Sequence, residues 1–243
     1  MAESSAGVRS ASAAQADLPA LIRRHLGRAL PREGPVPQHV LIRQEGEMWQ
    51  KPGGRAMHFT ATQRIAVDRV AFSWRARFPL LGPLALHVDG YADGEGRLEV
   101  RALGLPVQRQ TAPEITRGEV LRYLAELPWA PHAMEHNAEL DWRQLGERHV
   151  VIATHVGGER LSVEMEFDDG GDIVRSSSHM RPYQLGKEWL PTPWAGEFSE
   201  YKSLGGIRIP TRAEVYWDLP SGRFVYWRGR IFSAALLDER ITG

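Results

Sequence analysis

Alternating apolar and polar positions dominate the chain from about residue 38 onward. In RLSVEMEF, every second residue from Leu161 to Phe167 is apolar and the residues between them are polar. This period of two is typical of a strand with one buried face. About a dozen such segments follow one another, with glycine-containing turns such as DDGGD and PSG between several of them. Since a sheet that long must curl or close, the pattern predicts a mainly β (α+β) fold, a curled antiparallel sheet or half-barrel.

Near the N-terminus the spacing is helical. Apolar residues recur every three to four positions between Leu18 and Leu30, and Asp17 is a suitable N-cap for a helix. The small, polar residues 1–16 predict a disordered tail. We expect residues 17–243 to form one β-rich domain, because a single large β domain is common at this chain length.

A second helix is predicted in the middle of the chain, in TRGEVLRYLAEL. Thr116 and Glu119 have the spacing of a capping box, in which each side chain bonds the backbone of the other. The apolar residues share one side of the helix, whereas Glu119, Arg122 and Glu126 cluster on the opposite side. We expect this helix, residues 117–128, to be enclosed by the curled sheet.

Composition narrows the functional classes. The chain of 243 residues has no cysteine, which excludes disulfides, thiolate catalysis and cysteine-bound metals. Its 30 basic and 30 acidic residues balance, so we expect no nucleic-acid partner. It has no apolar leader and no run of 18 apolar residues, which predicts a soluble, cytoplasmic protein without an integral membrane segment. Phosphate-loop, dinucleotide-binding and nucleophile-elbow motifs are missing from the sequence, so we expect no cofactor.

One short motif resembles a zinc site. His132, Glu135 and His136 have the spacing H-x-x-E-H, which on a helix directs two imidazoles toward one metal ion. Pro128 and Pro131 lie directly before it, and spacing identifies no third carboxylate ligand. We therefore predict an ordinary pair of histidines and no metal site.

Polar side chains also alternate along two neighbouring predicted strands, RVAFSWRARF and LALHVDGYA. If these strands pair as a hairpin, one surface is expected to carry Arg75, Arg77, His87, Asp89 and Tyr91. Histidines and carboxylates perform acid–base chemistry, and arginine binds anions. On a later strand, the same spacing predicts that one face carries His179, Arg181 and Tyr183. For both sets the alternative is the solvent-exposed face of an antiparallel sheet.

Eight tryptophans are an unusually large number for this length. On a curled sheet they either fill the core or line an apolar cavity. The predicted lining residues are Trp74, Tyr91, Trp129, Trp194, Tyr201 and Trp217. Arg122 and Glu126 are expected at the polar end of the cavity or as a surface pair, and Glu200 is a further candidate.

Several motifs in the chain resemble an uncharacterised bacterial domain-of-unknown-function family. They are RYLAELPWAP (122–131), DW (141–142), PWAGEFSEY (193–201), IPTRAEVYW (209–217) and FVYWRG (224–229). The resemblance extends from Gln44 to Ile231 and implies no assigned reaction. Members of the family often continue W-x-P with Thr-Ala-Leu, whereas this chain has His132-Ala133-Met134, which makes the histidine pair peculiar to this sequence. At the level of the fold, the pattern is similar to half-barrels that carry lipoproteins or lipids.

Three hypotheses follow for function. The first is a non-enzymatic protein that binds an apolar or amphipathic, lipid-like small molecule in the aromatic cavity. The second is a hydrolase or isomerase that uses histidines and carboxylates around the same cavity. The third is a protein without a ligand, whose aromatic residues form only the core.

Overall fold

The structure is a computed structural model, and it describes residues 18–79, 85–102 and 105–238. The predicted tail at residues 1–16 lies outside these ranges, as does Asp17.

The described residues contain three α-helices: α1 (Ala20–Ala29), α2 (Pro113–Ala125) and α3 (Pro131–His136). A single 3-10 turn, Leu127–Trp129, joins α2 to α3. The first six strands are β1 (His39–Met48), β2 (Met57–Ala66), β3 (Phe72–Arg77), β4 (Ala85–Ala92), β5 (Glu95–Ala102) and β6 (Leu105–Gln110). The others are β7 (Asp141–Gln144), β8 (His149–Val156), β9 (Glu159–Phe167), β10 (Ile173–Leu185), β11 (Glu188–Leu204), β12 (Ile207–Leu219) and β13 (Gly222–Leu237).

All of these strands belong to one antiparallel sheet, in the order β6-β5-β4-β3-β2-β1-β13-β12-β11-β10-β9-β8-β7. Each strand pairs with the strand that follows it in sequence, except that β6 does not pair with β7. These two strands form the opposite edges of the sheet, and β1 pairs with β13 in its middle. The chain crosses from β6 to β7 through α2, the 3-10 turn and α3. The predicted curled half-barrel around a mid-chain helix is therefore confirmed.

Bulges help to bend the long strands around the helix. The register shifts between Arg43 and Gln44 on β1, between Ser178 and Arg181 on β10, and on β12 after Val215. An extra residue on one strand increases its local twist and bends it. On β9, buried positions alternate with partly exposed ones from Leu161 onward, as the period of two predicted.

The N-terminal helix packs its apolar side, including Ile22 and Leu26, into the core. Its arginines also contact the turn between β9 and β10, because Arg24 and Arg28 donate hydrogen bonds to carbonyl oxygens there. Buried His25 lies 3.1 Å from the Gly171 carbonyl oxygen, and burial lowers the pKa of this histidine to about 4. Polar contacts to the β9–β10 turn thus add to the apolar packing that holds this helix in place.

The predicted capping box of the mid-chain helix is wrong. The helix begins one turn earlier, at Pro113, where the fixed backbone angle and missing N–H of proline suit a first helical position. The Thr116 hydroxyl instead accepts a hydrogen bond of 3.0 Å from the backbone N–H of Gly96 on β5. Glu119 points into the interior, and the α-helix ends at Ala125 because the 3-10 turn follows. Contact with β5 therefore decides the role of Thr116.

The predicted shared surface on the β3–β4 hairpin is also wrong. Asp89 pairs with Trp74, and His87 pairs with Ala76, so both polar residues share the interior face of β3. Arg75 and Arg77 are exposed on the other face. The alternation predicted the period of each strand correctly. Which face of β4 lies on the same side of the sheet as a given face of β3 depends on the register between the two strands.

The bulge on β10 separates another predicted set. His179 is exposed whereas Arg181 is buried, so these two side chains do not share a face as a regular strand would require. A bulge changes which way the following residues point. As a result Arg181, which the alternation grouped with His179, reaches the interior of the half-barrel.

Strand β6 was not among the predicted strands. It is a short edge strand with exposed Leu105 and Val107, and Pro106 interrupts its sequence pattern. Proline fits an edge strand because one side of the strand needs no ladder hydrogen bonds. Among the helices of the described residues, none is both long and apolar enough to span a membrane.

Candidate functional site

A cavity of about 220 Å³ lies between α2 and the concave face of the sheet. Its apolar wall is mainly tryptophan, supplied by four strands and the 3-10 turn. These side chains are Trp74, Trp129, Trp194, Trp217 and Trp227. All five are buried, so they present their ring faces or edges to the cavity rather than to solvent.

The mouth of the cavity is formed by those lining residues that are partly exposed. They are Met48, His87, Leu98, Arg122, Glu126, Val215 and Tyr226. His87 has 31% of its side chain exposed. The opening is therefore mixed in character, with aliphatic and aromatic groups beside the imidazole of His87 and the charged side chains of Arg122 and Glu126.

Arg122 is the centre of the charged groups in the cavity. Its side chain is only 13% exposed and lies between two carboxylates. Its guanidinium donates to Asp89 at 2.9 Å and to Glu126 at 2.8 Å. It also packs 5.2 Å from the ring centres of Phe72 and Trp74, a cation–π geometry. Burial of this cation is compensated by two anions and two aromatic faces.

Hydrogen bonds extend this ion pair across the sheet. Gln44 on β1 donates to Gln63 on β2 at 2.9 Å, and Gln63 in turn donates to Glu126. On the other side, the Nε2 of His87 lies 2.8 Å from the carboxylate of Asp89. A continuous polar chain thus runs from β1 through the end of α2 to β4.

These contacts shift the pKa values of the paired groups. Burial by itself would raise the pKa of Asp89, but the hydrogen bond from His87 and the charges of His87 and Arg122 outweigh it and lower the pKa. Burial by itself would lower the pKa of His87, but the hydrogen bond to Asp89 and the charge of Asp89 raise it above 6.5. The pKa of Arg122 is also raised, since neighbouring carboxylates overcome its burial. The fold therefore favours the charged form of all three residues.

Glu119 differs from the other carboxylates of the cavity. Its side chain is 6% exposed, and its nearest cations are Arg122 at 3.7 Å and Arg181 at 3.8 Å, beyond hydrogen-bond distance. Its Oε2 has no hydrogen-bond partner within the described part of the chain. Burial raises the pKa of Glu119 to about 7, with Arg122 opposing the shift and Asp89 adding to it. This carboxyl group can therefore hold or release a proton near neutral pH.

Arg181 is the second buried cation of the cavity, with 9% of its side chain exposed. Its guanidinium lies 4.2 Å from the ring centre of Trp194 and 5.5 Å from that of Trp217. It donates a hydrogen bond of 3.2 Å to the hydroxyl of Tyr226, which also accepts one from the indole N–H of Trp194 at 3.0 Å. Aromatic groups thus hold this cation against the wall.

Six of the nine residues predicted for a ligand site line this cavity: Trp74, Arg122, Glu126, Trp129, Trp194 and Trp217. Tyr91 is buried in the core, on the same strand face as Asp89, but it is not part of the lining. Tyr201 lies near α1, where its hydroxyl donates to the Ile173 carbonyl oxygen at 2.8 Å. Glu200 is at the surface, paired with Lys202 at 3.0 Å. The structure therefore brings six of the predicted residues together and separates three.

Other lining residues were not predicted as cavity residues. The sequence spacing predicts a capping-box role for Glu119, and for Arg181 a strand face shared with His179, which the structure shows to be exposed. Trp227 was one of the eight tryptophans but was not selected, and it lies near the Val215–Tyr216 bulge, where simple alternation fails. The available signal was the i, i+3 spacing of Glu119 and Arg122 on a helix expected to be enclosed by the sheet.

The H-x-x-E-H motif forms α3, a helix of six residues. Burial and then the charge of His136 lower the pKa of His132 to about 4. His136 lies 3.6 Å from Glu135. Within residues 18–79, 85–102 and 105–238, no group of three or more histidine, aspartate or glutamate side chains is placed to hold a metal ion.

The curled sheet around a helix defines the class of fold, a β-rich half-barrel with an internal cavity. The structure is similar to that of a LolA superfamily protein from Nitrosomonas europaea, with a TM-score of 0.51 and 9% identity over 90% of this chain and 93% of that one. At this identity the likeness shows the fold alone.

Two further solved structures superimpose with TM-scores of 0.49. One is a DUF1329 family protein from Desulfovibrio piger, 10% identical over 93% of this chain and 92% of that one. The other is a putative outer membrane lipoprotein-sorting protein domain from Vibrio parahaemolyticus, 9% identical over 96% and 94% of the respective chains.

Within this class, the chain belongs to DUF6544, a family of unknown function, which it matches over residues 8–229. The predicted membership of an uncharacterised family is thereby confirmed. Comparison with curated proteins gives no match.

Proposed function

We propose that this protein binds a small apolar or amphipathic molecule in the tryptophan-lined cavity. The observation that carries the proposal is the placement of five buried tryptophans around one space that also contains charged groups. Binding sites for small molecules are concave and mostly apolar, with a few polar groups that orient the ligand. The cavity has both parts, because its lining contains the five tryptophans and also the charged groups around Arg122.

The size of the cavity limits what it can enclose. A cavity of about 150 Å³ accommodates benzene, so 220 Å³ corresponds to roughly nine non-hydrogen atoms by proportion. The ligand is therefore a small amphipathic molecule, or one end of a longer chain whose remainder leaves through the mouth. The LolA superfamily neighbour supports the half-barrel as a suitable scaffold for such a cavity only at the level of the fold.

Tryptophan fluorescence offers a direct test, because the fluorophores are the walls of the site. Titration with 1-octanol is expected to change the emission in a saturable manner. Val215→Trp at the mouth should weaken binding by filling the cavity. Val225→Trp is the matched control, since Val225 is also partly exposed but does not line the cavity. Equal effects of the two variants, or no saturable change in the native protein, would contradict the proposal.

A second candidate function is acid–base catalysis in the same cavity, by a hydrolase or isomerase. It is favoured by Glu119, whose pKa is raised to about 7 by burial, in a cavity that also contains the His87–Asp89 pair. A screen of small esters and enolisable ketones should then reveal turnover that Glu119→Gln abolishes. Turnover unaffected by this substitution, or no turnover with either substrate class, would exclude this candidate.

A further inference from the structure

Arg181 and Arg122 differ in how their charges are compensated. Arg122 donates hydrogen bonds to two carboxylates, those of Glu126 at 2.8 Å and Asp89 at 2.9 Å. In the described part of the chain, Arg181 donates from its guanidinium to one acceptor, the neutral hydroxyl of Tyr226. The nearest carboxylate to Arg181 belongs to Glu119, at 3.8 Å. A buried guanidinium with five N–H donors thus lacks a closely bound anion.

The position of Arg181 makes these donors relevant to a ligand. Its side chain lines the cavity and is held by the rings of Trp194 and Trp217. Arginine binds carboxylates through two parallel hydrogen bonds, and a low-dielectric wall strengthens such a pair. A second donor in the same cavity also favours a ligand with a hydrogen-bond acceptor. The indole N–H of Trp74 is buried and has no acceptor among the described residues.

We infer that the ligand of this cavity is a small amphipathic carboxylic acid whose carboxylate is bound by Arg181 and whose apolar part packs against the tryptophans. This inference rests on the proposed binding function and specifies its ligand class. A monoanion supplies the charge that Arg181 lacks, and the volume of the cavity admits a short chain or a single ring beside it.

Binding of a carboxylate also couples to Glu119. The charged groups that face Glu119 are Arg122 and Glu126 near its own helix, His87 and Asp89 on β4, and Arg181 on β10. A second anion at Arg181 further disfavours the ionised form of Glu119, so the complex takes up a proton there. The affinity for a carboxylate should therefore increase as the pH falls from about 8 to about 6, a range in which a simple carboxylic acid stays mostly ionised because its pKa lies below that range.

The test compares octanoate with 1-octanol, which differ at one end of the same chain. In isothermal titration calorimetry, the native protein should bind octanoate at least about tenfold more tightly than octanol, as expected for a charged hydrogen-bonded pair. Arg181→Gln should abolish this preference and leave octanol binding in place. Arg181→Lys should retain part of it, because the charge remains but the two parallel bonds are lost.

Arg75→Gln is the matched control, since Arg75 is exposed on the outer face of the sheet. Circular dichroism and thermal unfolding establish that each variant is folded, and the octanoate–octanol comparison in the native protein needs no variant. Equal affinities for the two ligands, or equal weakening of both by Arg181→Gln, would overturn the carboxylate assignment and leave the proposed function intact. If neither ligand binds, the proposed function is overturned and the assignment with it.

Discussion

At the scale of single residues, Arg122 shows how one buried charge organises the interior. It links α2 to β4 through Asp89, and the end of α2 to β2 through Glu126 and Gln63. Such a network stabilises little relative to an apolar core, because burying charges costs much of what their attraction gains. Loss of one partner, however, leaves the others buried without compensation.

Arg122→Met should therefore be strongly destabilising. The variant keeps most of the side-chain volume but leaves the carboxylates of Asp89 and Glu126 without their cation, which should cost about 3–5 kcal/mol of unfolding free energy. Urea denaturation gives this value directly. Arg75→Met, on the exposed face of β3, should change stability by less than about 0.5 kcal/mol. A similar small change for Arg122→Met would show that the network contributes nothing to the fold.

Glu119 should make stability depend on pH in a defined direction. Its pKa is raised to about 7 in the folded protein from 4.5, so the folded state holds this proton longer than the unfolded state. Stability from this group is then present below about pH 4.5 and lost as the pH rises through 7. The glutamine of Glu119→Gln cannot ionise. The unfolding free energy of this variant should therefore rise relative to that of the native protein as the pH increases from about 4.5 to about 7. Urea denaturation at several pH values measures the difference, and a difference independent of pH would contradict the assignment.

At the scale of elements, the strands and helices were more predictable than their ends. Period-two alternation identified β9, and helical spacing identified α1 and α2. The predicted start of α2 was wrong because the Thr116 hydroxyl accepts a hydrogen bond from Gly96 on β5 and does not cap its own helix. Strand β6 was missed because an edge strand tolerates proline and exposed apolar residues.

The contact between β5 and α2 leaves no room for a side chain at Gly96. A Cβ atom there would lie 2.5 Å from the Cα of Thr116. Gly96→Ala should therefore push the helix off the strand and reduce the unfolding free energy by about 1–3 kcal/mol. Gly146→Ala is the control, because a Cβ at Gly146 meets no atom within 4 Å. Equal stabilities of the two variants in urea denaturation would show that α2 is free to shift.

At the scale of the whole molecule, the order of the strands creates the cavity. β1 pairs with β13, which joins the sheet formed by the first six strands to that formed by the last seven. The helical segment between β6 and β7 must cross the concave face to connect the two edges. Lining residues consequently come from β1, β3, β4 and β5 on one side and from β10 to β13 on the other.

Because both halves share one sheet and one core, residues 17–243 are expected to unfold as a single cooperative unit. Tryptophan fluorescence and far-ultraviolet circular dichroism should give coincident transitions in urea. Separate midpoints, or two steps in either signal, would contradict the prediction of one domain.

The sequence by itself determined the class of fold, most strands, the enclosed helix and the abundance of tryptophan, because these depend on local periodicity and composition. It also selected Arg122 and Glu126, whose helical spacing is local. Only the tertiary structure decided that His87, Asp89 and Arg181 line the same cavity as Trp74, and that Glu200 and Tyr201 do not. Register and bulges set which face of a strand is buried, and these depend on pairing between segments far apart in the chain.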